Sequence, residues 1–389
     1  MLTVRPVSFF FVSCTTSAVF LEHIIYPYLC GKETIMAITI SNGLSGKYFS
    51  MSVPDMVCAI GGYRMGVKIL ISPDSKSWTK IYSEYLYPLD GSITLADLGN
   101  LLTPYARQML VVDVKIQLTE EYADSNSIAS SQEQAFELVY CEADIPTTCE
   151  DWTTNHFLSL LLGTKLTAPG RLEYLHFIGT DTASCTATYT DGSTATFTPV
   201  IIGGNNSYTT IDVSPDRFTT AGKTLTAYTI TAGSRRQQYD IDFRKPDCAP
   251  VLLFTNSFGC DELMYCTGLA TKAPTFKRDS AYIGGKKRNY HIQETRTFKA
   301  DTGPLSEDMA DWFGEVMRSP YVRLVTFRNG RPNVGREIVV DDSKTEQTNS
   351  PDEMPHFTFS YEYAQRNHNV VELEREGRIF DNTFDYTFN

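Results

Sequence analysis

Hydrophobic and polar positions alternate in short runs along most of this chain. Val67, Ile69 and Ile71 alternate with Lys68 and Leu70, and Ser72-Pro73-Asp74-Ser75 closes that run as a turn. Asp90-Gly91 is a second turn, followed by Ile93 and Leu95. Leu110, Val112, Val114, Ile116 and Leu118 form one face, opposed by Val111, Asp113, Lys115 and Gln117. Phe136, Leu138 and Tyr140 repeat the pattern, and the polar stretch from Glu120 to Gln134 reads as a loop. Period-two runs at this spacing predict a β-sandwich over 36–150. Cys149 to Thr154 reads as a linker, and Phe157 to Leu162 as an apolar run of unassigned type.

A second region, 155–245, carries a hairpin that the pattern specifies closely. Cys185, Ala187 and Tyr189 alternate with threonines, as do Ala195 and Phe197 after Asp191-Gly192. A two-residue loop would pair Tyr189 with Thr194 and mix apolar and Thr on both faces. A three-residue loop, Thr190-Asp191-Gly192, pairs Ala187 with Ala195 and Cys185 with Phe197. That register puts the apolar side chains on one face and the threonines on the other. The three-residue loop is therefore predicted, with Gly192 left-handed.

The third region, 246–372, mixes strands with one helix. Pro250 to Phe254, residues 289–299, Tyr321 to Phe327, Glu337 to Val340 and the alternating run Phe357, Phe359, Tyr361, Tyr363 read as strands. Asn329-Gly330 is a turn, and Asp341 to Glu353 a polar loop. Between Pro304 and Ser319, Met309, Trp312, Phe313, Val316 and Met317 form a single helical stripe. Ser306 is the expected N-cap and Ser319-Pro320 the stop. The fold class is thus mainly β: serial antiparallel β-sandwich domains, then an α+β domain with one amphipathic helix.

Composition sharpens this picture. With 389 residues, 42% hydrophobic and 21% charged, the chain is no disordered polymer and holds two or three domains. There are 22 Phe and 22 Tyr against 3 Trp, and 16 of 44 Thr fall between Thr180 and Thr231, which suits sheet with one wet face. The net charge of −12 argues against gripping nucleic-acid phosphates. Nine widely spaced cysteines form no C-x-x-C pair and read as buried reduced thiols of a reducing compartment.

The two ends differ from the middle. Residues 1–35 combine Arg5, an apolar run from Val7 to Phe20 and Val12-Ser13-Cys14. The expectation is a spurious or disordered extension, with a secretion signal lipidated at Cys14 as the alternative. Residues 373–389 form an aromatic arm with F-D-x-T repeated, in which Phe380, Phe384, Tyr386 and Phe388 share a face. These four are the expected interface residues, pairing with their own domain or docking on a neighbouring subunit.

Candidate chemistry is sparse. None of the six histidines lies two to four residues from another His or a Cys, so no metal or cofactor is expected. Gly61-Gly62 and Gly203-Gly204 lack the Lys-Ser/Thr of a phosphate loop, and no G-x-S-x-G occurs. Asp341-Asp342 reads as solvated charge rather than a glycosidase pair. Arg235-Arg236 and Lys286-Lys287-Arg288 read as solvated turns, too few for a nucleic-acid surface.

Part of the third region resembles structural proteins of phage tail modules, of the tail-tip or baseplate kind. The likeness spans about 248–365. It is carried by Leu253-Phe254-Thr255-Asn256-Ser257-Phe258-Gly259, by Cys266-Thr267-Gly268, and by the helix between Thr302-Gly303-Pro304-Leu305-Ser306 and Ser319-Pro320-Tyr321-Val322. The resemblance implies a non-enzymatic assembly protein, made in a bacterial cytoplasm and built into a virion. Its partners would be other tail-module proteins and itself, with no direct nucleic-acid binding and no membrane unless Cys14 is lipidated. Two rivals stand beside it: a surface lipoprotein binding glycans through β-sandwich domains, and a secreted glycosidase.

Overall fold

The computed structural model describes residues 37–122, 128–244, 250–328, 331–341 and 354–364. The expectations for residues 1–35, for the Asn329-Gly330 turn, for all but the first residue of the Asp341–Glu353 loop, and for the 373–389 arm lie outside the described residues.

The first sandwich comprises β1 (Thr39–Ile40), β2 (Lys47–Phe49), β3 (Met56–Ala59), β4 (Arg64–Ser72), β5 (Thr79–Leu86), β6 (Ser92–Leu95), α1 (Leu98–Met109), β7 (Val111–Glu121) and β8 (Ile128–Val139). A three-stranded sheet, β1-β3-β6, faces a five-stranded one, β2-β8-β7-β4-β5. Val67, Ile69 and Ile71 of β4 and Val112, Val114, Ile116 and Leu118 of β7 are buried between them, as their alternation predicts. The polar stretch 120–134 is not the expected loop: β7 runs to Glu121 and β8 starts at Ile128. On its other side β8 is covered by β2 only at 137–139. Its first half therefore meets water and carries Ser, Gln and Glu instead of an apolar face. Helix α1 buries Leu98, Leu102 and Ala106 on one stripe. The sequence pattern does not show this helix, because Pro104 interrupts it and Asp97 gives it no side-chain cap.

After α2 (Cys149–Asn155) the second sandwich follows: β9 (Lys165–Thr167), β10 (Tyr174–Ile178), β11 (Ala183–Tyr189), β12 (Thr194–Phe197), β13 (Val200–Gly204), β14 (Tyr208–Asp212), β15 (Leu225–Ala232) and β16 (Arg235–Ile241). Its sheets are β12-β11-β15-β16-β9 and β10-β14-β13. The β11–β12 hairpin has the predicted register, with Cys185 opposite Phe197 and Ala187 opposite Ala195. Tyr189 N–H donates to Ser193 O, closing a three-residue loop with Gly192 at φ 76°. Cys185, Ala187 and Tyr189 are buried, while Thr194 and Thr196 face solvent.

The α+β region comprises β17 (Val251–Thr255), β18 (Asp261–Tyr265), β19 (Ala270–Ile283), β20 (Lys286–Asp301), α3 (Glu307–Arg318), β21 (Val322–Arg328), β22 (Arg331–Val340) and β23 (Thr358–Tyr363). They form one antiparallel sheet in the order β18-β17-β21-β22-β23-β20-β19. Ser306 caps α3 as predicted, its Oγ accepting from Met309 N–H at 3.3 Å. Met309, Trp312, Phe313 and Val316 pack against Leu252, Phe254 and Phe359. The opposite face, with Val251, Leu253, Leu263 and Tyr265, packs on Ala168 and Leu172 at the edge of the second sandwich.

Three corrections concern the connections. Cys149 to Thr154 is not a plain linker but α2, capped by Thr148 and buried through Cys149, Trp152 and Thr153. The unassigned run Phe157–Leu162 forms no regular element. Phe157, Leu158 and Leu161 each enter a different hydrophobic core, which gives apolarity without a period. Arg235 is no solvated turn residue: it is buried and donates to Thr153 O and Ile178 O at 2.8 Å, tying α2 to the second sandwich.

Candidate functional site

The segment Asn256-Ser257-Phe258-Gly259, turning β17 into β18, is where the three regions meet. Asn256 Oδ1 accepts from Phe258 N–H and Cys260 N–H at 3.0 Å, which holds the turn shut. Its Nδ2 donates to Leu158 O at 2.8 Å and to Glu262 at 3.1 Å. Ser257 donates from N–H and Oγ to Glu315 of α3, and its carbonyl accepts from Glu142 N–H at the exit of the first sandwich. Phe258 is fully buried against Phe49 and Trp152. Gly259 sits at φ 75°, where a Cβ would lie 2.8 Å from the Tyr140 ring. All four residues are spent on joining elements.

Beside the joint lies a buried charge cluster. Lys165 Nζ is 2.8 Å from Glu173 and 3.9 Å from Glu262, with all three side chains nearly inaccessible. Glu262 also accepts from Ser159 Oγ at 2.8 Å. Burial drives the Glu173 carboxyl above the usual carboxylate range, against the pull of Lys165. His176 bridges Thr210 Oγ1 and Asp261 O at 2.9 Å, and its burial lowers its pKa. The carbonyl contact assigns the proton to Nε2, so the ring is a neutral structural bridge. The six described cysteines are buried thiols. Burial pushes Cys58 up to about 11 and Cys141, Cys149, Cys185 and Cys266 up to about 12, far from thiolate chemistry.

A groove of about 620 Å3 opens next to the joint, with Glu142, Asp144, Ser257, Glu315, Arg318 and Pro320 in its wall. Glu315 is already held there by Ser257 and by Arg318 at 2.6 Å. Among the described residues, no group of three or more His, Cys, Asp or Glu side chains converges to hold a metal ion. No helix among them is long and apolar enough to cross a membrane.

The surface feature that stands apart is the β19–β20 hairpin. Its strands pair from Ala270↔Ala300 to Ile283↔Lys286, and Gly284-Gly285 forms the turn. The next strand inward, β23, covers β20 only from Thr297 to Asp301. Ten further pairs, Pro274↔Arg296 to Ile283↔Lys286, project as a two-stranded ribbon of roughly 30 Å. Nearly every ribbon side chain is exposed, including Tyr282 at 79% and Tyr290 at 66%.

Register sorts the ribbon's side chains onto two faces. One carries Lys272, Phe276, Arg278 and Tyr282 from β19 with Lys287, Ile292 and Arg296 from β20, and Glu294 pairs with Arg296 at its base. The other carries Thr, Ala and Gln together with Lys277, Asp279, Lys286 and Arg288 and lacks the aromatic rings. Between Thr271 and Thr297 there are seven Lys and Arg against Asp279 and Glu294. Lys286-Lys287-Arg288 thus lies on a strand at the ribbon's tip, within a larger basic set than the sequence pattern showed. The legible signal was Gly284-Gly285 flanked by basic residues.

Two other exposed features are smaller. Tyr63 and Tyr87 meet edge to face at 5.2 Å near Tyr85, which Arg64 covers at 4.1 Å. The edge strand β13 exposes Val200, Ile201 and Ile202 within a stretch, Ser193–Ile211, that has no charged residue. The expected interface residues Phe380, Phe384, Tyr386 and Phe388 lie outside the described residues.

No protein-family model and no curated protein matches this sequence. Among solved structures, the BSP domain of a biofilm-associated protein matches with 12% identity and a TM-score of 0.15 over 53% of this chain. This chain spans 30% of that one's length. A tandem of titin Ig domains matches with 12% identity and a TM-score of 0.21, over 53% of this chain and 97% of that one. A titin fragment of three Ig domains covers 86% of this chain and 89% of its own at 8% identity and a TM-score of 0.17. At these TM-scores and identities, nothing about this chain rests on them.

Proposed function

We propose that this chain is a non-enzymatic structural subunit of a phage or prophage tail, of the tail-tip or baseplate kind, acting through contacts with other tail-module proteins and with itself. The observation that carries the reading is the ribbon: ten residue pairs projecting into solvent, edged with apolar and basic side chains. A two-stranded ribbon alone is marginal in water, and exposed strand edges are ready templates for another chain. The body behind it is cemented at the Asn256–Gly259 turn, which suits a part that bears load between neighbours. That turn lies in the segment that resembles tail-module proteins. Assembly in a bacterial cytoplasm fits the buried thiols.

The test is co-purification with the proteins encoded by flanking genes, followed by light scattering. A stoichiometric complex with a tail protein is expected. A chain that binds none of them sinks the reading.

The Tyr63, Tyr85 and Tyr87 group favours a second reading, a surface protein binding glycans through its first sandwich, since exposed rings are platforms for sugar faces. Saturable binding on a glycan array, lost in Tyr63→Ala/Tyr87→Ala, would support it.

A further inference from the structure

We infer that the apolar-and-basic face of the ribbon docks on the acidic body of a second copy of this chain, at the groove rim formed by residues 142–151. The inference rests on the assembly reading, for which it names the partner of the ribbon.

Charge is the first argument. The ribbon, Thr271 to Thr297, has a net charge of +5 on a chain of −12, which leaves −17 for the rest. Two copies repel each other almost everywhere except where a ribbon meets a body. Opposite potentials of this kind steer encounter and fix orientation.

Chemistry of the ribbon is the second argument. Phe276, Tyr282 and Ile292 stand on the same face as Lys272, Arg278 and Lys287. A duplex nucleic acid would use the cations and leave the isoleucine idle in water. A protein surface uses both, burying the rings and pairing the charges. The whole chain's acid excess disfavours a nucleic-acid partner as well.

The acid of the body concentrates beside the groove. Glu142, Asp144, Glu150 and Asp151 are all exposed within ten residues that contain no Lys or Arg. Arg107 reaches Glu142 only at 4.0 Å, with both side chains nearly half exposed, so it neutralises little. Glu142 and Asp144 stand in the wall of the groove, a concave seat with Leu160 and Pro320 for apolar contact. Ribbon and rim are different surfaces. The contact is therefore head-to-tail, and it builds a ring where the rotation closes or a filament where it does not.

The experiment measures mass by light scattering against concentration at low and high salt, on the full chain. Concentration-dependent multimers that fall apart in salt are expected. Arg278→Glu/Lys287→Glu, both on the docking face, should weaken association on the order of a hundredfold, with an unchanged thermal midpoint. Glu142→Lys/Asp144→Lys should do the same. Mixing the two variants should restore mixed multimers, because each then carries one intact complementary surface.

A wild-type chain that stays monomeric at tens of micromolar in low salt overturns the inference. So does a charge-reversed ribbon that still self-associates, or a monomer whose ribbon binds duplex DNA. A monomer that nevertheless binds a flanking tail protein ends this inference and leaves the assembly reading standing. Ribbon-dependent multimers that bind no tail protein do the reverse.

Discussion

The turn at Asn256–Gly259 and the turn at Gly284-Gly285 sit in the same sheet, yet they serve opposite ends. At the first, each side-chain amide and hydroxyl is paired inside the molecule, and Phe258 fills a core shared by three regions. At the second, two strands run out from the sheet with almost every side chain in solvent. The first turn fixes the relation between regions. The second has no partner within its own body among the described residues. Stability should therefore reside at the joint and association at the ribbon, and substitutions should separate the two.

The largest effect is expected at Phe258. Phe258→Ala removes a fully buried ring from between Phe49 and Trp152. A rigid junction cannot collapse around the void, so the cost should be about 3–5 kcal/mol. Urea unfolding should show it as a lower midpoint. If the midpoint is unchanged, the joint is not the cement of the body.

Next comes Lys165, where one cation serves two buried carboxylates. Lys165→Met leaves Glu173 and Glu262 without it, at a cost of about 3 kcal/mol. The double variant Lys165→Met/Glu173→Leu should recover most of that loss, because the nearer carboxylate goes too and Glu262 keeps its hydrogen bonds from Ser159 and Asn256.

A pH series sharpens the same site. In the unfolded chain Glu173 titrates in the usual carboxylate range, about 4.3. In the folded chain burial raises it, so the folded state holds this proton more tightly. Its contribution is complete below the unfolded pKa and is lost as pH rises through the folded one. Glu173→Gln lacks that loss. The stability of the variant relative to wild type should climb as pH rises from about 4, and a flat difference would refute the raised pKa.

How much of this was legible depended on whether a residue has one neighbour or several. The β11–β12 register and α3 were readable because a single period assigns each side chain to one face. Cys185 and Ala187 go in, Thr186 and Thr188 stay at the surface or partly so, and Ser306 caps the helix. Phe157, Leu158 and Leu161 defeated the pattern, since adjacent residues enter different cores. Helix α1 was hidden by Pro104. The ribbon was hidden for the opposite reason. With both faces in water it has no apolar alternation to show, and its basic residues are scattered in sequence until the register sets Lys272, Arg278, Lys287 and Arg296 on the face of Phe276 and Tyr282. The joint's residues were singled out by resemblance, but only their contacts to Leu158, Glu142 and Glu315 reveal what they hold.

The smallest expected effect on stability completes the contrast. Tyr282 is large and aromatic like Phe258, but it is 79% exposed near the ribbon's tip. Tyr282→Ala leaves no cavity and strands no polar group, so unfolding should stay within about 0.5 kcal/mol of wild type. Association should weaken clearly, because a ring seated on a neighbour is the kind of residue whose truncation costs binding most. The two side chains then differ only in which molecule buries them. Equal losses of stability at Tyr282 and Phe258 would mean that the ribbon folds back on its own body, and the separation of cement from contact would fail.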